Sequence, residues 1–135
     1  MQGQCLCGEV KFEIEETSEV AVCHCGMCRK WSGGPHMSLE SKSVQISGEH
    51  HIQHYESSEW GSRSFCKQCG TNLFYQLNAD PQTFYLNSQL FDFPTQAQIV
   101  SEVYVDHKPT FYPFFSETAE KLTQADIEKM FSGSF

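Results

Sequence analysis

Between Glu9 and Glu15 the chain alternates apolar and polar, with Val10, Phe12 and Ile14 on one side and Lys11, Glu13 and Glu15 on the other. A period of two sends successive side chains to opposite faces, so this stretch predicts a half-buried antiparallel strand. Further short strands follow at Val20-Ala21-Val22, His36 to Leu39, Val44 to Ile46, Ile52 to Tyr55 and Arg63 to Cys66, separated by Ser, Gly and Glu turns. Leu73 to Leu77 and Thr83 to Leu86 read as apolar strands around an Asn78-Ala79-Asp80-Pro81 turn. The stretch from Gln89 to Gln98 is irregular, and Val103-Tyr104-Val105 reads as one more strand. Helical signal is confined to two places. One turn covers Met27 to Trp31 and stops at the Gly33-Gly34-Pro35 breaker. Thr123-Gln124-Ala125-Asp126 matches a capping box that opens a short helix ending near Gly133. The pattern is mainly β, without internal repeats, and the 135 residues fit one domain spanning residues 1–135.

Composition removes several function classes. Nine Lys and Arg against seventeen Asp and Glu give a net charge of −8, the wrong sign for holding nucleic acid through its phosphates. No apolar run approaches the ~18 residues of a membrane helix. The Met1-Gln2-Gly3-Gln4-Cys5 start has neither the basic nor the apolar segment of a signal peptide. Seven cysteines, an odd number, argue against a disulfide framework and for a cytoplasmic protein with reduced thiols.

Those cysteines are not scattered. They form Cys5-x-Cys7, Cys23-x-Cys25-x-x-Cys28 and Cys66-x-x-Cys69. In an extended backbone Cys23 and Cys25 aim at one point. A tight turn at Gly26-Met27, with Gly free to take a positive φ, would swing Cys28 back to it and make a three-sulfur cup. Cys5 and Cys7 share one face of an extended segment, Gly8 turning the chain. Cys66 to Gly70 reads as a metal-binding knuckle. Seven divides as four plus three, one closed tetrahedral site and one short of a ligand. Structural zinc sites are closed, whereas catalytic ones keep a position open. Spacing alone leaves it open that Cys5 and Cys7 pair with the central cluster instead. His50, His51 and His54 read as ordinary surface histidines, since His51 and His54 do not share a strand face. His24 points away from its flanking thiols and reads as structural. Arg29 and Lys30 either stabilise the thiolates or form a solvated pair. The aromatic run Phe111-Tyr112-Pro113-Phe114-Phe115 reads as core packing before it reads as a pocket wall.

The motifs Cys5-Leu6-Cys7-Gly8-Glu9-Val10, Cys23-His24-Cys25-Gly26-Met27-Cys28-Arg29-Lys30 with Ser32-Gly33, and Arg63-Ser64-Phe65-Cys66-Lys67-Gln68-Cys69-Gly70-Thr71 together resemble the glutathione-dependent formaldehyde-activating enzyme family, which includes centromere protein V. Looser similarity runs through Val103-Tyr104-Val105 and Lys108-Pro109. The resemblance implies a β-tent (Mss4-like) fold of small antiparallel sheets pinned by zinc. It further implies a structural zinc on Cys5, Cys7, Cys66 and Cys69 and a catalytic zinc on Cys23, Cys25 and Cys28. The implied activity is that of a carbon–sulfur lyase, forming or cleaving an adduct between a small thiol such as glutathione and formaldehyde or another small aldehyde.

Free thiols ionise near pH 8.5, so neutral glutathione is mostly a poor nucleophile until a metal takes its proton. Three thiolates would weaken the hold on the second zinc and make it labile, unless Arg29, Lys30 or Lys108 offsets the charge. Two rival readings share these residues. In one the fold is a non-catalytic zinc-stabilised module whose aromatic surface binds a protein partner. In the other Cys25-x-x-Cys28 is a redox couple, which leaves Cys23 without a role and lacks a thioredoxin-like βαβ setting.

Overall fold

The computed structural model describes residues 1–93 and 96–131. The elements in chain order are β1 (Gln2–Gln4), β2 (Lys11–Ile14), β3 (Glu19–Cys23), α1 (Gly26–Ser32), β4 (His36–Ser41), β5 (Val44–Ser47), β6 (Ile52–Tyr55), β7 (Gly61–Cys66), β8 (Asn72–Leu77), β9 (Asp80–Asn87), β10 (Gln98–Val103), β11 (Glu120–Leu122) and α2 (Gln124–Met130). Short 3-10 turns cover Glu49–His51, Ser88–Leu90 and Val105–His107. The described residues form two compact units, Met1–Ser18 with Ser38–Gln96, and Glu19–Met37 with Ala97 onward. No helix among them is long and apolar enough to cross a membrane.

The first unit is built of antiparallel ladders. β2 lies between β1 and β5, with Gly3 opposite Phe12 and Phe12 opposite Ile46. A second set runs β4-β9-β8-β7-β6, with Leu39 opposite Leu86, Phe74 opposite Leu86, Ser64 opposite Phe74 and Ile52 opposite Cys66. The alternation of β2 is kept: Phe12 and Ile14 are buried while Lys11 and Glu13 face water. Phe12 meets Phe74 edge-on at 6.1 Å, and Phe74 meets Phe84 at 4.9 Å, around Val10, Leu39, Leu73 and Leu86, which are wholly buried. The hydrophobic payload of this unit is therefore concentrated in one apolar cluster.

Gly48 holds a left-handed φ of 81° at the entry to the Glu49–His51 turn, and a Cβ placed there would overlap the Glu9 carbonyl oxygen. Gly48→Ala should therefore cost about 2 kcal/mol or more, because strain and a backbone clash add. A lowered thermal-unfolding midpoint checks this; an unchanged one would remove the close approach from the account.

The second unit differs from a purely antiparallel reading. β10 runs parallel to both β3 and β11, with Val103 opposite Cys23 and Leu122. The capping box is present, Thr123 accepting from the Asp126 N–H and Asp126 accepting from the Thr123 N–H, and it opens α2. The expected helix end near Gly133 lies outside the described residues. Two expectations are corrected here. The strand anticipated over Val103–Val105 stops at Val103, because Tyr104 takes a left-handed φ of 55° and the chain enters a 3-10 turn. The aromatic run is not core: Phe111 is 85% exposed, and Phe114 and Phe115 are each nearly half exposed.

Candidate metal centres and their surroundings

The structure brings the seven thiols into two groups. The sulfurs of Cys5, Cys7, Cys66 and Cys69 lie within 4.8 Å of one another, and so do those of Cys23, Cys25 and Cys28. Cys5 and Cys7 do not join the central cluster.

The four-sulfur group is made by two turns facing each other. Cys5 to Gly8 is a turn and not the extended segment expected: the Gly8 N–H bonds the Cys5 carbonyl at 3.1 Å. Opposite it, the Gly70 N–H returns to the Cys66 carbonyl at 2.7 Å, with Gly70 at a φ of 79° that an L side chain resists. Thr71 ties the turns together, its hydroxyl accepting from the Leu6 N–H at 3.1 Å and touching Cys69 Sγ at 3.1 Å. Cys5 and Cys7 sulfurs sit 3.6 Å apart, and those of Cys7 and Cys66 3.8 Å. A zinc–sulfur bond of 2.3 Å in a tetrahedron gives sulfur–sulfur edges of about 3.8 Å, so these two edges are of the length a zinc site requires and the group could hold a metal ion. The proton balance agrees. The Glu9 backbone draws the Cys7 thiol down, yet burial and hydrogen bonds to Cys5, Cys69 and Cys66 push it up to about 12. At Cys69 burial works upward, but hydrogen bonds from Thr71 and Cys7 bring it down to about 6. Four sulfurs this close share protons unless a cation replaces them.

The three-sulfur group sits where β3 ends and α1 begins. Cys25 is the N-cap of α1, extended at φ −65° and ψ 156°, and its sulfur accepts the Cys28 N–H at 3.3 Å. Gly26 and Met27 are thus the first helical residues, and not a left-handed turn. The 3.6-residue period brings Cys28 back beside Cys25. Hydrogen bonds to Cys25 and then Cys28, with burial, drive the Cys23 thiol far above its ordinary range. This donor set also fits a soft cation, which would take the protons' place.

His24 points away from the sulfurs and is fully buried. Its Nε2 lies 2.8 Å from Glu102 Oε1 and its Nδ1 3.0 Å from the Tyr112 hydroxyl. Glu102, also fully buried, accepts the Phe115 and Ser116 N–H groups, each at 3.1 Å, and has Lys121 Nζ at 3.5 Å. The rings of Tyr112, Phe114 and Phe115 stand 5.7 to 6.0 Å from the His24 ring. Glu102 thus clamps the aromatic segment beside the residue that separates two of the thiols. Arg29 of α1 donates from Nε to the His24 carbonyl at 3.0 Å and from Nη2 to the His107 carbonyl at 3.4 Å. Lys108 donates to the Pro109 and Tyr112 carbonyls and lies over the Tyr112 and Phe114 rings. Both cations are engaged with carbonyls of the loops. Elsewhere His51 pairs with Glu9 at 3.2 Å, and His54 Nδ1 meets the Ser64 hydroxyl at 2.6 Å.

Glu102 and Tyr112 were not legible as site residues, lying 78 and 88 positions from His24. A register shift between Ile99 and Ser101 interrupts the alternation of β10, so nothing in the pattern marks Glu102 as buried. Burial alone would raise the Glu102 carboxyl, but His24 and the two N–H groups hold it below the ordinary range. A lowered folded value means this stability is fully present above the unfolded carboxyl pKa and is lost as pH falls through the folded one. The thermal midpoint of the wild type should therefore fall more steeply below about pH 4 than that of Glu102→Gln. Parallel pH profiles would contradict the clamp.

A mainly β framework carrying two cysteine clusters that could hold metal ions defines the molecule as a β-tent protein. The chain belongs to the glutathione-dependent formaldehyde-activating enzyme family, whose pattern matches residues 1–107. A Schizosaccharomyces pombe protein described as an uncharacterized lyase is 30% identical over 120 residues, 87% of this chain and 88% of that one. A crystal structure of a Rhodobacter sphaeroides protein shares the fold with a TM-score of 0.58 at 21% identity, covering 68% of this chain and 88% of that one.

Proposed function

We propose that this protein is a carbon–sulfur lyase that joins a small thiol of the glutathione type to formaldehyde or another small aldehyde, and runs the reverse cleavage. Family membership and the lyase-named relative support the reaction class. The convergence of the Cys23, Cys25 and Cys28 sulfurs into one three-donor group is the observation that carries it. In this reading Cys5, Cys7, Cys66 and Cys69 would hold a structural zinc, and Cys23, Cys25 and Cys28 a second one. At Cys23, Cys25 and Cys28 such an ion would supply the Lewis acidity that lets a small thiol ionise at neutral pH.

The chain's own groups do the rest. Cys25 caps α1 and so fixes the spacing of its own sulfur and that of Cys28. Arg29, one residue past Cys28, is anchored through the His24 and His107 carbonyls and so ties the start of α1 to the loop after β10. His24, held by Glu102, keeps Tyr112 and its neighbouring rings in place. The net reaction is balanced without an oxidant: the thiol proton is released, sulfur adds to the carbonyl carbon, and the carbonyl oxygen gains a proton as it becomes a hydroxyl. Exchange NMR of glutathione and formaldehyde, corrected for the spontaneous reaction, tests this. Accelerated adduct exchange by protein carrying about two zinc ions per chain is expected, and no acceleration with metal present would overturn it.

The exposure of Phe111, Phe114 and Phe115 favours a second reading, a zinc-stabilised module that binds a protein partner. Absence of lyase activity together with a partner lost on substitution of these rings would favour it over the first.

A further inference from the structure

Among the described residues Tyr104 is the only one other than glycine with a positive φ, 55°. A bulky side chain there costs about 1–2 kcal/mol and persists only where the surroundings impose it. Both sides of the residue are pinned. The carbonyl before it, on Val103, accepts the His24 N–H at 3.0 Å, and its own carbonyl accepts the His107 N–H at 2.9 Å. Its ring meets the His107 ring edge-on at 5.4 Å, and His107 Nε2 is in turn 2.7 Å from Gln124 Oε1. Val103 is paired with Cys23, so the left-handed turn occurs directly beside the end of the strand that delivers the first thiol.

The phenol is half-buried and its hydroxyl has no hydrogen-bond partner among the described residues. Tyr112, by contrast, is committed to His24. Burial first, then the charges of Cys23, Cys25, Glu128 and Cys28, keep the Tyr104 hydroxyl harder to ionise than an ordinary phenol. It is therefore a protonated donor one residue beyond the Val103–Cys23 pair, not engaged by any side chain or carbonyl among the described residues. A strained residue holding an unused donor at a reactive centre fits the geometry of oxyanion stabilisation.

We infer that the Tyr104 hydroxyl is a catalytic residue, the hydrogen-bond donor to the aldehyde oxygen as sulfur adds to the carbonyl carbon. This rests on the lyase reading above. The thiol releases its proton to water, the sulfur lone pair forms the carbon–sulfur bond, and the carbonyl π pair moves to oxygen. The phenol keeps its own proton and stabilises that oxygen until water protonates it. In reverse the same donor stabilises the alkoxide that expels the thiolate.

Tyr104→Phe keeps the ring on His107 and deletes only the donor. The protein-catalysed exchange rate between glutathione and formaldehyde should fall about 100-fold. Glutathione affinity by calorimetry and zinc content should stay within twofold of wild type. Independently of rate, 3-fluorotyrosine at position 104 of the full chain should show a 19F shift when formaldehyde is added to the glutathione complex, and little shift with glutathione alone. That measurement decides the matter even if the Phe variant fails to fold. A variant rate within threefold of wild type, or a fluorine resonance indifferent to formaldehyde, would overturn the assignment while leaving the lyase reading intact. A wild type that neither binds glutathione nor accelerates exchange would overturn both.

Discussion

Cys28→Ser is expected to lower the protein-catalysed rate by about 1,000-fold or more while leaving the fold intact. Loss of an outer partner of a metal ligand already costs 10–100-fold, and loss of a ligand itself costs more. Cys28 is buried in the first turn of α1, and its N–H also holds the Cys25 sulfur. Serine keeps that N–H and the helix, but replaces a soft, easily ionised donor with a hydroxyl that stays protonated. Metal analysis should show about one zinc per chain in place of two, with a nearly unchanged circular dichroism spectrum. Full activity with two zinc ions would refute the assignment of this group as the reactive centre.

Cys66→Ser should have the opposite signature. Cys66 is wholly buried, ends β7, and stands within the four-sulfur group. Structural zinc in small cysteine sites is worth about 10–16 kcal/mol of apparent binding free energy, much of which is folding free energy. Removing one ligand, or all the metal with a strong chelator, should therefore unfold the first unit. Thermal melts and amide dispersion in NMR spectra would read this directly. A well-dispersed spectrum and an unshifted melt after complete demetallation would mean that the apolar cluster around Phe12 and Phe74 suffices, and that the four sulfurs are not a structural staple. The two serine variants thus separate a centre needed for chemistry from one needed for folding.

The local elements were largely legible because they follow from local rules. Alternation marked β2, and Ile52–Tyr55 is the whole of β6. The capping box marked the start of α2. Where the chain bends through hydrogen bonds to its own backbone, periodicity misled. Cys5 to Gly8 is a turn, and Gly26-Met27 opens a helix whose cap is a cysteine sulfur. The apolar residues after Val103 predict a continuing strand, but it ends there because Tyr104 leaves the strand region of backbone space. Large rings normally signal a core. Here Phe111 faces water, because the rings next to it are organised by a buried Glu and His and not by an apolar interior.

By itself the sequence determined the supply of sulfur: three cysteine clusters at spacings that turns and helix ends can focus, on short strands with alternating faces. Those are properties of neighbours in the chain, set by backbone geometry over a few residues. Only the tertiary structure decided which clusters share a centre, that Glu102 and Tyr112 hold the buried His24 between two of its thiols, and that Tyr104 follows the residue paired with Cys23. Such partners meet across most of the chain's length, through ladder register, a strand irregularity and one left-handed residue, none of which leaves a local trace.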